Sequence, residues 1–358
     1  MMNTNKLLDN AQTKWTSGGN KGDIVISSRI RLARNLAAKP FPHLLTEAAA
    51  RQLALQVREA LAKSNLKYFY VDMENISPID RQILVEKHLI SPALLDDARG
   101  RGVAVSEDEA VSIMVNEEDH LRIQCLYGGL ALNEAWQDID VLDQKLSENL
   151  NYAYDQELGY LTACPTNVGT GLRASVMLHL PALTMLKKTG QIFESLGQMG
   201  FAIRGIFGEG SESKGHLYQI SNQRTLGFSE KDIVERLNRV VEQLAEAETK
   251  ARKDLFKKNQ NSMADYIWRA WGIMTNARSM SSAEAMEKLS ALRLGVSEAI
   301  IKQTNNVKLN QLLISIQPGF VERKLQTEAP NSQISTMQRD WARAEIIRNQ
   351  LLNINNNK

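Results

Sequence analysis

The sequence has 358 residues, of which 43% are apolar and 23% are charged, and its net charge is +2. A chain of this length and composition is expected to bury a full core and to divide into two domains. The small net charge gives no indication of direct binding to nucleic acid, so an anionic ligand has to be recognised by a local cluster of arginines.

The cysteine content and the N-terminus predict a protein of the reducing cytoplasm. Cys125 and Cys164 are too few for a disulfide framework, and the first residues lack the basic, apolar and small-residue order of a secretion signal. The most apolar segment, residues 175–186, is interrupted by His179 and Pro181 and is shorter than the ~20 residues that span a bilayer. We therefore expect no membrane segment and no membrane partner.

Strand and helix patterns alternate through about the first 250 residues. Helical spacing of apolar residues predicts one helix at residues 46–64 and another along a stripe from Leu132 to Leu150. Apolar alternation with a period of two predicts strands at residues 23–32, 110–115, 121–126, 173–180, 201–207 and 216–220. This part of the chain is therefore expected to mix α and β structure.

A long charged helix is predicted to close this mixed region. Ser229 and Asp232 have the spacing of a capping box, and the helix that they open is predicted to end near Lys258. After it the strand patterns disappear, and about 100 residues of helical pattern remain, which is enough for a domain. We place the boundary near residues 250–255, with domains at residues 1–252 and 253–358.

Arginines alternate with apolar residues in the first predicted strand. Within residues 24–32, the period of two directs Arg29 and Arg31 to the same face, with Cα atoms roughly 6.5–7 Å apart. Two guanidinium groups so close repel each other unless an anion lies between them, and their planar forks suit phosphate oxygens. Arg122 and Arg173 have similar positions on other strands, so four arginines are available for a polyphosphate. For the pair alone, a solvated face neutralised by carboxylates is the more common arrangement.

Two acidic loops interrupt the predicted strands. Glu117, Glu118 and Asp119 are consecutive, and their mutual repulsion requires a nearby cation or proton. An acidic turn of this kind is more often simply solvated. The second loop, residues 208–215, contains three glycines and two glutamates, which is typical of a mobile lid.

A thiol lies in a turn that leads to one of these arginines. Cys164 precedes Pro165 and is nine residues before Arg173. Nearby arginines lower the pKa of a thiol, whereas an inert buried cysteine is the more common outcome for a cysteine taken alone. The sequence contains neither the Walker phosphate loop nor a complete Gly-x-Gly-x-x-Gly, so the usual nucleotide-binding motifs are missing.

Three segments together resemble the catalytic domain of the phosphagen (guanidino) kinases. They are Ser27-Ser28-Arg29-Ile30-Arg31, Asn116-Glu117-Glu118-Asp119-His120-Leu121-Arg122 and Cys164-Pro165-Thr166-Asn167-Val168-Gly169-Thr170-Gly171-Leu172-Arg173. Their order and spacing are highly specific. The resemblance implies an α+β fold in which a largely antiparallel sheet is flanked by helices. The all-α C-terminal domain would follow it.

The sequence resembles the bacterial protein-arginine kinases in particular, over nearly its whole length and including residues 84–92 and 220–223. This resemblance implies an ATP-dependent kinase that phosphorylates arginine side chains of proteins. One alternative is a small-molecule guanidino kinase, but those enzymes have an arginine at the position of Phe207 and a small N-terminal helical domain that is not expected here. A second alternative is an inactive adaptor that binds phosphoarginine.

The resemblance also implies roles for individual residues. Glu118 is the candidate base, and Arg204 is the candidate substitute for the arginine missing at position 207. Mg²⁺ is expected to bridge the phosphates without a dedicated carboxylate cage. The ATP-binding residues are Arg29, Arg31, His88, Arg122, Arg173 and Arg204, and the residues around the substrate guanidinium are Glu118, Glu212 and Cys164.

The last predicted helix contains Arg339, Asp340 and Arg343. Helical spacing places the two arginines one turn apart, and a solvated face is the ordinary interpretation. The run resembles the Arg-Asp-x-x-Arg-Ala motif with which protein-arginine kinases bind phosphoarginine. By resemblance the tail also supports a homodimer and regulation. An activator protein, a Clp-type chaperone–protease and a stress-response repressor are partners by analogy, in a quality-control role that marks proteins for degradation.

Overall fold

The computed structural model describes residues 4–64, 67–205, 213–328 and 334–353. Across these residues the main sheet has eight strands in the order β2-β3-β4-β5-β1-β8-β10-β9, and every neighbouring pair is antiparallel. The strands are β1 Val25–Arg34, β2 Tyr68–Asp72, β3 Gly102–Ser106, β4 Val111–Val115, β5 Leu121–Gly128, β8 Leu172–His179, β9 Phe201–Gly205 and β10 Leu217–Asn222. A separate hairpin is formed by β6 Tyr154–Asp155 and β7 Gly159–Tyr160. The expected antiparallel sheet is confirmed.

Helices cover the sheet and then form the whole C-terminal part. They are α1 Thr4–Asp9, α2 Glu47–Lys63, α3 Pro78–Glu86, α4 Ala93–Asp96, α5 Leu132–Ser147, α6 Pro181–Met185, α7 Thr189–Gln198, α8 Glu230–Asn276, α9 Ser282–Ser297, α10 Asn306–Ser315, α11 Pro318–Glu328 and α12 Thr336–Leu351. No helix within the described ranges is both long and apolar enough to cross a membrane. The predicted α+β region followed by a helical region is therefore confirmed.

The amphipathic helices form where the sequence predicts them. The hydroxyl of Thr46 accepts a hydrogen bond from the backbone N–H of Ala49 and caps α2, whose apolar residues Leu53, Val57 and Leu61 are buried. Such a cap stabilises a helix by about 1 kcal/mol. The core continues from these side chains through the sheet and into the C-terminal helices, so the two parts of the chain pack directly on each other.

All six predicted strands are present, although residues 206 and 207 of the fifth lie outside the described residues. Strands β2 and β3 were not predicted. In β3, four consecutive residues are buried, so the alternation on which the prediction depends is absent. In β2, most residues are only partly buried at the edge of the sheet, which also weakens the pattern.

The predicted end of the long helix near Lys258 coincides with a kink at Asn259, beyond which a second helical stretch follows. The capping box is present, since Ser229 Oγ accepts from Asp232 N at 3.1 Å, but α8 continues to Asn276 with a local departure from helical geometry at Asn259. Its apolar pattern resumes beyond that point with buried Met263, Ile267 and Met274. The boundary placed near residues 250–255 therefore falls inside a helix, and the domain division remains a proposal.

Candidate active site

The register of the central strands brings arginines to one face of the sheet. Arg31 of β1 lies directly opposite Arg173 of β8, and Arg122 of β5 lies opposite Ala33, two residues along β1 from Arg31. Since alternate residues of a strand share a face, Arg29 also lies on this side. The predicted convergence of four arginines from three strands is what the backbone produces.

Neutral side chains supply most of the hydrogen bonds to these arginines. Arg29 donates from Nη2 to Gln219 Oε1 at 3.0 Å, and Arg173 donates from Nη2 to Ser221 Oγ at 3.2 Å. The Nε atoms of Arg31 and Arg173 are buried and have no hydrogen-bond partner among the described residues. The face therefore holds buried donors that an anion can satisfy.

Burial and mutual repulsion lower the pKa values of these arginines. Burial lowers the pKa of Arg29 to about 10, and repulsion from Arg122 and Arg173 adds to the effect of burial. The pKa of Arg31 is lowered in the same way, first by burial and then by Arg29. Arg29 remains charged at neutral pH. Burial without a matching negative charge is unfavourable, and a bound polyphosphate would relieve it.

Arg122 differs from the other arginines because a carboxylate pairs with it. Its Nη1 lies 2.7 Å from Glu117 Oε1 and 2.9 Å from Oε2, and Ser91 Oγ donates to the same carboxylate at 2.5 Å. Burial by itself raises the pKa of Glu117, but Arg122 and Ser91 outweigh it and hold this pKa below its usual value. Glu117 is thus ionised and occupied by protein donors.

A cavity of about 650 Å³ opens over the arginine face. Its walls also include His88 and the apolar side chains of Ile90 and Met114. Gln124 donates from Nε2 to the carbonyl oxygen of His88 at 2.6 Å, and the His88 ring packs on Trp15 with centroids 5.4 Å apart. Burial, followed by the charge of Arg29, lowers the pKa of His88 to about 4, so its imidazole is neutral at physiological pH.

Arg204 lies on the same cavity wall. It belongs to β9, opposite Gln219 of β10, and its side chain is exposed. Its charge is close enough to contribute to the lowered pKa of Arg173. The structure thus brings Arg204 to the other predicted anion-binding residues, while Phe207 lies outside the described residues.

A smaller cavity of about 90 Å³ shares Arg31, Arg122 and Arg173 with the first one. Glu118 lines this second cavity, with the Cys164 thiol close to its carboxylate. Partial burial raises the pKa of Glu118, and repulsion from the neighbouring acidic residues adds to it. The arrangement offers a proton acceptor beside a thiol, next to the positive face.

The structure tests the predicted positions of the other two guanidinium-binding residues, Cys164 and Glu212, to different extents. Cys164 is partly buried and its Sγ lies 3.0 Å from Thr166 Oγ1, so it is not fully buried as the alternative prediction expects. Cys125, by contrast, is fully buried. Glu212 lies outside the described residues. The structure therefore brings together Glu118 and Cys164 out of the three predicted guanidinium-binding residues.

The last helix brings Arg339, Asp340 and Arg343 together on one turn. Arg343 is 3% exposed and donates to the carbonyl oxygens of Ile316 and Met280, both at 2.9 Å, and to Asp340 Oδ1. Arg339 Nη1 lies 2.7 Å from Glu322 Oε1 of α11. The ordinary interpretation of a solvated face is therefore wrong for Arg343, because its guanidinium is folded into the contacts between helices.

Sequence reasoning missed several polar residues of the cleft. Gln124 lies two residues after Arg122 on β5, and Gln219 and Ser221 alternate on β10. The same period of two that identified the arginines places these residues on their face. Their neutral side chains gave no reason to single them out before the strand order was known.

Comparisons with known proteins agree with this geometry. The family model described as "ATP:guanido phosphotransferase, C-terminal catalytic domain" matches residues 51–251, and the one described as "Protein-arginine kinase McsB C-terminal domain" matches residues 260–358. A curated protein-arginine kinase from Symbiobacterium thermophilum is 45% identical over 356 residues, which are 98% of this chain and 99% of that protein. One from Moorella thermoacetica is 47% identical over 344 residues, 94% and 96% of the two chains.

Solved structures of metabolite kinases share the fold. A lombricine kinase superposes with a TM-score of 0.57 and 26% identity, over 67% of this chain and 70% of that one. The duplicated taurocyamine kinase from Schistosoma mansoni, with bound transition-state analogue components, has a TM-score of 0.58 and 29% identity, over 72% of this chain and 38% of that one. The similarity is lower than that to the curated relatives.

Proposed function

The chain is a protein-arginine kinase of the ATP:guanido phosphotransferase family, and we propose that it transfers the γ-phosphoryl group of ATP to protein arginines at the two joined cavities. The proposed location of phosphoryl transfer rests on one observation, that the two cavities share a wall. Arg31, Arg122 and Arg173 border both the large cavity and the small one that contains Glu118. A phosphoryl group among these arginines would face the carboxylate and the thiol.

The large cavity fits ATP as a substrate. The unpartnered buried Nε atoms of Arg31 and Arg173 are donors for phosphate oxygens, and His88 with Ile90 offers a surface for the adenine. Stabilising the charge of the transferring group with a single well-placed arginine is worth around 10³–10⁵ in rate. We propose that Arg29, Arg31, Arg122, Arg173 and Arg204 share this role.

The substrate guanidinium presents the main chemical difficulty. Its pKa is above 12, and freeing a neutral nitrogen at pH 7 costs something like 7 kcal/mol. Glu118 is the proposed base that accepts the proton as the N–P bond forms, and the raised pKa brings it nearer to neutrality. Cys164 would contact the guanidinium and orient the nitrogen. Glu212 is the proposed third partner.

Mg²⁺ is the metal that the chemistry calls for. It would neutralise charge on the phosphates and align them for transfer. Glu117 is the carboxylate nearest to the arginines, but Arg122 and Ser91 already hold it. The residues of the cleft thus fit a metal that would be bound mainly by phosphate oxygens and water.

We propose further roles for the helical part of residues 253–358. Arg339, Asp340 and Arg343 carry the charges that match a phosphoryl group and a guanidinium, which supports phosphoarginine binding and a regulatory site. A homodimer, a cytoplasmic location, and marking of proteins for a Clp-type chaperone–protease under stress are parts of the same proposal. So are an activator protein and a stress-response repressor as partners. Two free cysteines are consistent with a reducing compartment.

Two alternatives remain as outcomes of a test. A metabolite kinase would act on free arginine, and an adaptor would bind phosphoarginine without transferring phosphoryl groups. Nearly full-length similarity to proteins named protein-arginine kinase favours the protein substrate over both.

The test uses the full chain with ATP, Mg²⁺ and an unfolded arginine-rich protein, or with free arginine. Glu118→Gln removes the proposed base, and Glu148→Gln, an exposed carboxylate at the end of α5, is the matched control. Mass spectrometry that preserves acid-labile N–P bonds should detect phosphoarginine on the protein with the wild type and the control. Its level should fall by about 10²–10⁴ with Glu118→Gln. Transfer only to free arginine, or equal transfer by Glu118→Gln, would contradict the proposal.

A further inference from the structure

Asn35 is a buried amide at the end of the central strand β1. Its side chain makes hydrogen bonds to two separate segments of the active site. Oδ1 accepts from the backbone N–H of His120 at 2.9 Å, and Nδ2 donates to Asp119 Oδ1 at 2.6 Å and to the carbonyl oxygen of Leu161 at 3.0 Å. The residue is 2% exposed. One amide thus uses both of its N–H groups and its oxygen.

Asp119 extends these bonds to the segment that carries the thiol. Its Oδ1 also accepts from the backbone N–H of Ala163 at 2.7 Å. Asp119 follows Glu118 in the chain, and Ala163 precedes Cys164. Glu118, which lines the small cavity, and Cys164 are therefore each one peptide bond away from a residue that Asn35 or Asp119 holds by a hydrogen bond.

A second set of bonds fastens the acidic turn to the same end of β1. His120 Nδ1 accepts from the backbone N–H of Leu36 at 3.0 Å, so this nitrogen carries no proton. Nε2 then carries the proton and donates to the carbonyl oxygen of Pro40 at 2.8 Å. Asn35 also accepts from Ala153 N through its backbone oxygen at 2.7 Å. The turn and the thiol segment share one anchor, at the end of the strand that carries Arg29 and Arg31.

We propose that Asn35 is a positioning residue for phosphoryl transfer. It fixes the positions of the Glu118 carboxylate and the Cys164 thiol with respect to each other and to the arginine face. This inference rests on the proposed function, because it assumes that Glu118 and Cys164 act on the guanidinium. Asn35 lines neither cavity, so its effect has to pass through the segments that it holds. It therefore belongs to the orientation of the acceptor and not to ATP binding.

Asn35→Ala removes all three side-chain bonds and should lower kcat on the order of 100-fold, because a misplacement of about 1 Å has that effect on transfer. KM for ATP should stay within about twofold, since the arginines of β1, β5 and β8 are held by strand pairing. Asn35→Ser keeps a small donor and acceptor and should recover part of kcat. Asn310→Ala, a buried amide in α10 that contacts Arg293, is the matched control and should leave kcat unchanged.

Alkylation with iodoacetamide gives a readout that is independent of turnover. Cys125 is fully buried, so modification of the folded protein reports Cys164. The alkylation rate should rise several-fold with Asn35→Ala, because the segment that carries Cys164 is then held less firmly. It should not change with Asn310→Ala. Circular dichroism spectra establish that the variants are folded, and Asn35→Ser carries the same test if Asn35→Ala does not fold.

Parallel assays of Glu118→Gln and Cys164→Ser distinguish a failure of the proposed function from a failure of the positioning role of Asn35. If both retain full transfer, the proposed function fails whatever Asn35 does. If they lose transfer while Asn35→Ala keeps the wild-type kcat and alkylation rate, only the positioning role is overturned. A rise in KM for ATP with unchanged kcat, or an equal loss with Asn310→Ala, would also overturn it.

Discussion

Three arginines of the sheet, Arg29, Arg31 and Arg173, are held in the opposite way to the arginines of the last helix, whereas Arg122 of the sheet pairs with Glu117. On the sheet, Arg29 and Arg173 contact neutral side chains, and the Nε of Arg31 is buried without a partner among the described residues. In α12, Arg339 pairs with a carboxylate, and Arg343 donates to two backbone carbonyls and Asp340. The sheet keeps positive charge available for a ligand, whereas the helix already satisfies it with protein groups.

This difference predicts that the two sets respond in opposite ways to mutation. A sheet arginine contributes to function but lowers the stability of the ligand-free protein, because the neighbouring arginines repel it. A buried helix arginine contributes to stability, because its removal leaves carbonyl oxygens without donors. Residues with the same side chain thus have different roles that the charge of the surroundings decides.

The largest effect is expected from Arg31→Met. Phosphoryl transfer should fall by about 10³ or more, since one phosphate-binding guanidinium is lost. The melting temperature without nucleotide should stay the same or rise, because the repulsion among the remaining arginines decreases. Steady-state kinetics and thermal unfolding test both statements, with exposed Arg239→Met as the control. A clear drop in melting temperature would contradict the comparison.

A smaller effect, of opposite kind, is expected from Arg343→Met. The free energy of unfolding should fall by about 3 kcal/mol, because buried acceptors lose a charged donor. Arg339→Met is the comparison within the same helix, and its partly exposed pair with Glu322 should contribute no more than about 1 kcal/mol. Urea unfolding measures the two values. Equal values for the two variants would show that burial does not separate them.

The pair between Arg339 and Glu322 also predicts a change in ligand binding. If phosphoarginine binds at this helix, its phosphoryl group has to compete with Glu322 for the Arg339 guanidinium. Glu322→Gln should then increase the affinity for phosphoarginine a few-fold, corresponding to about 0.5–1 kcal/mol. Isothermal titration calorimetry with free phosphoarginine tests this prediction. An unchanged or weaker affinity would place the ligand elsewhere.

The smallest effect concerns pH and His88. The pKa of His88 is about 4 in the folded protein and close to 6.5 when unfolded. Protons therefore bind preferentially to the unfolded chain, and stability decreases as the pH falls from about 6.5 to about 4. Above pH 6.5 this group has no effect. His88→Gln should show a shallower decline in melting temperature between pH 7.5 and 5 than the wild type, and an identical decline would argue against a lowered pKa of His88 in the folded protein.

Much of the fold and the arginine face can be predicted from the sequence. The period of two in residues 24–32 identifies Arg29 and Arg31 directly, because a strand fixes the direction of alternate side chains. Which strands lie beside β1 cannot be read from that pattern. Gln219 meets Arg29 across β8, at a separation of 190 residues, and only the strand order explains this contact.

The acidic turn shows where the prediction from residues ends. Three consecutive residues carry the same carboxylate group but have different surroundings. Glu117 is buried against Arg122, Glu118 is exposed beside Cys164, and Asp119 is bonded to Asn35. These differences depend on backbone geometry at one turn, in which Asn116 has a φ of 57°. No propensity or spacing rule distinguishes such neighbours.

The position of β1 in the middle of the sheet has a consequence for the order of folding. This strand is synthesised early, yet it pairs with β5 and with β8, which follows about 140 residues later. At synthesis rates of roughly 5–20 residues per second, the ribosome needs roughly 7–30 s to supply the second neighbour. Until then the nascent chain exposes an unpaired edge of β1, so the arginine face that β1 shares with β8 is completed late, and we expect the growing chain to need protection from aggregation during this interval.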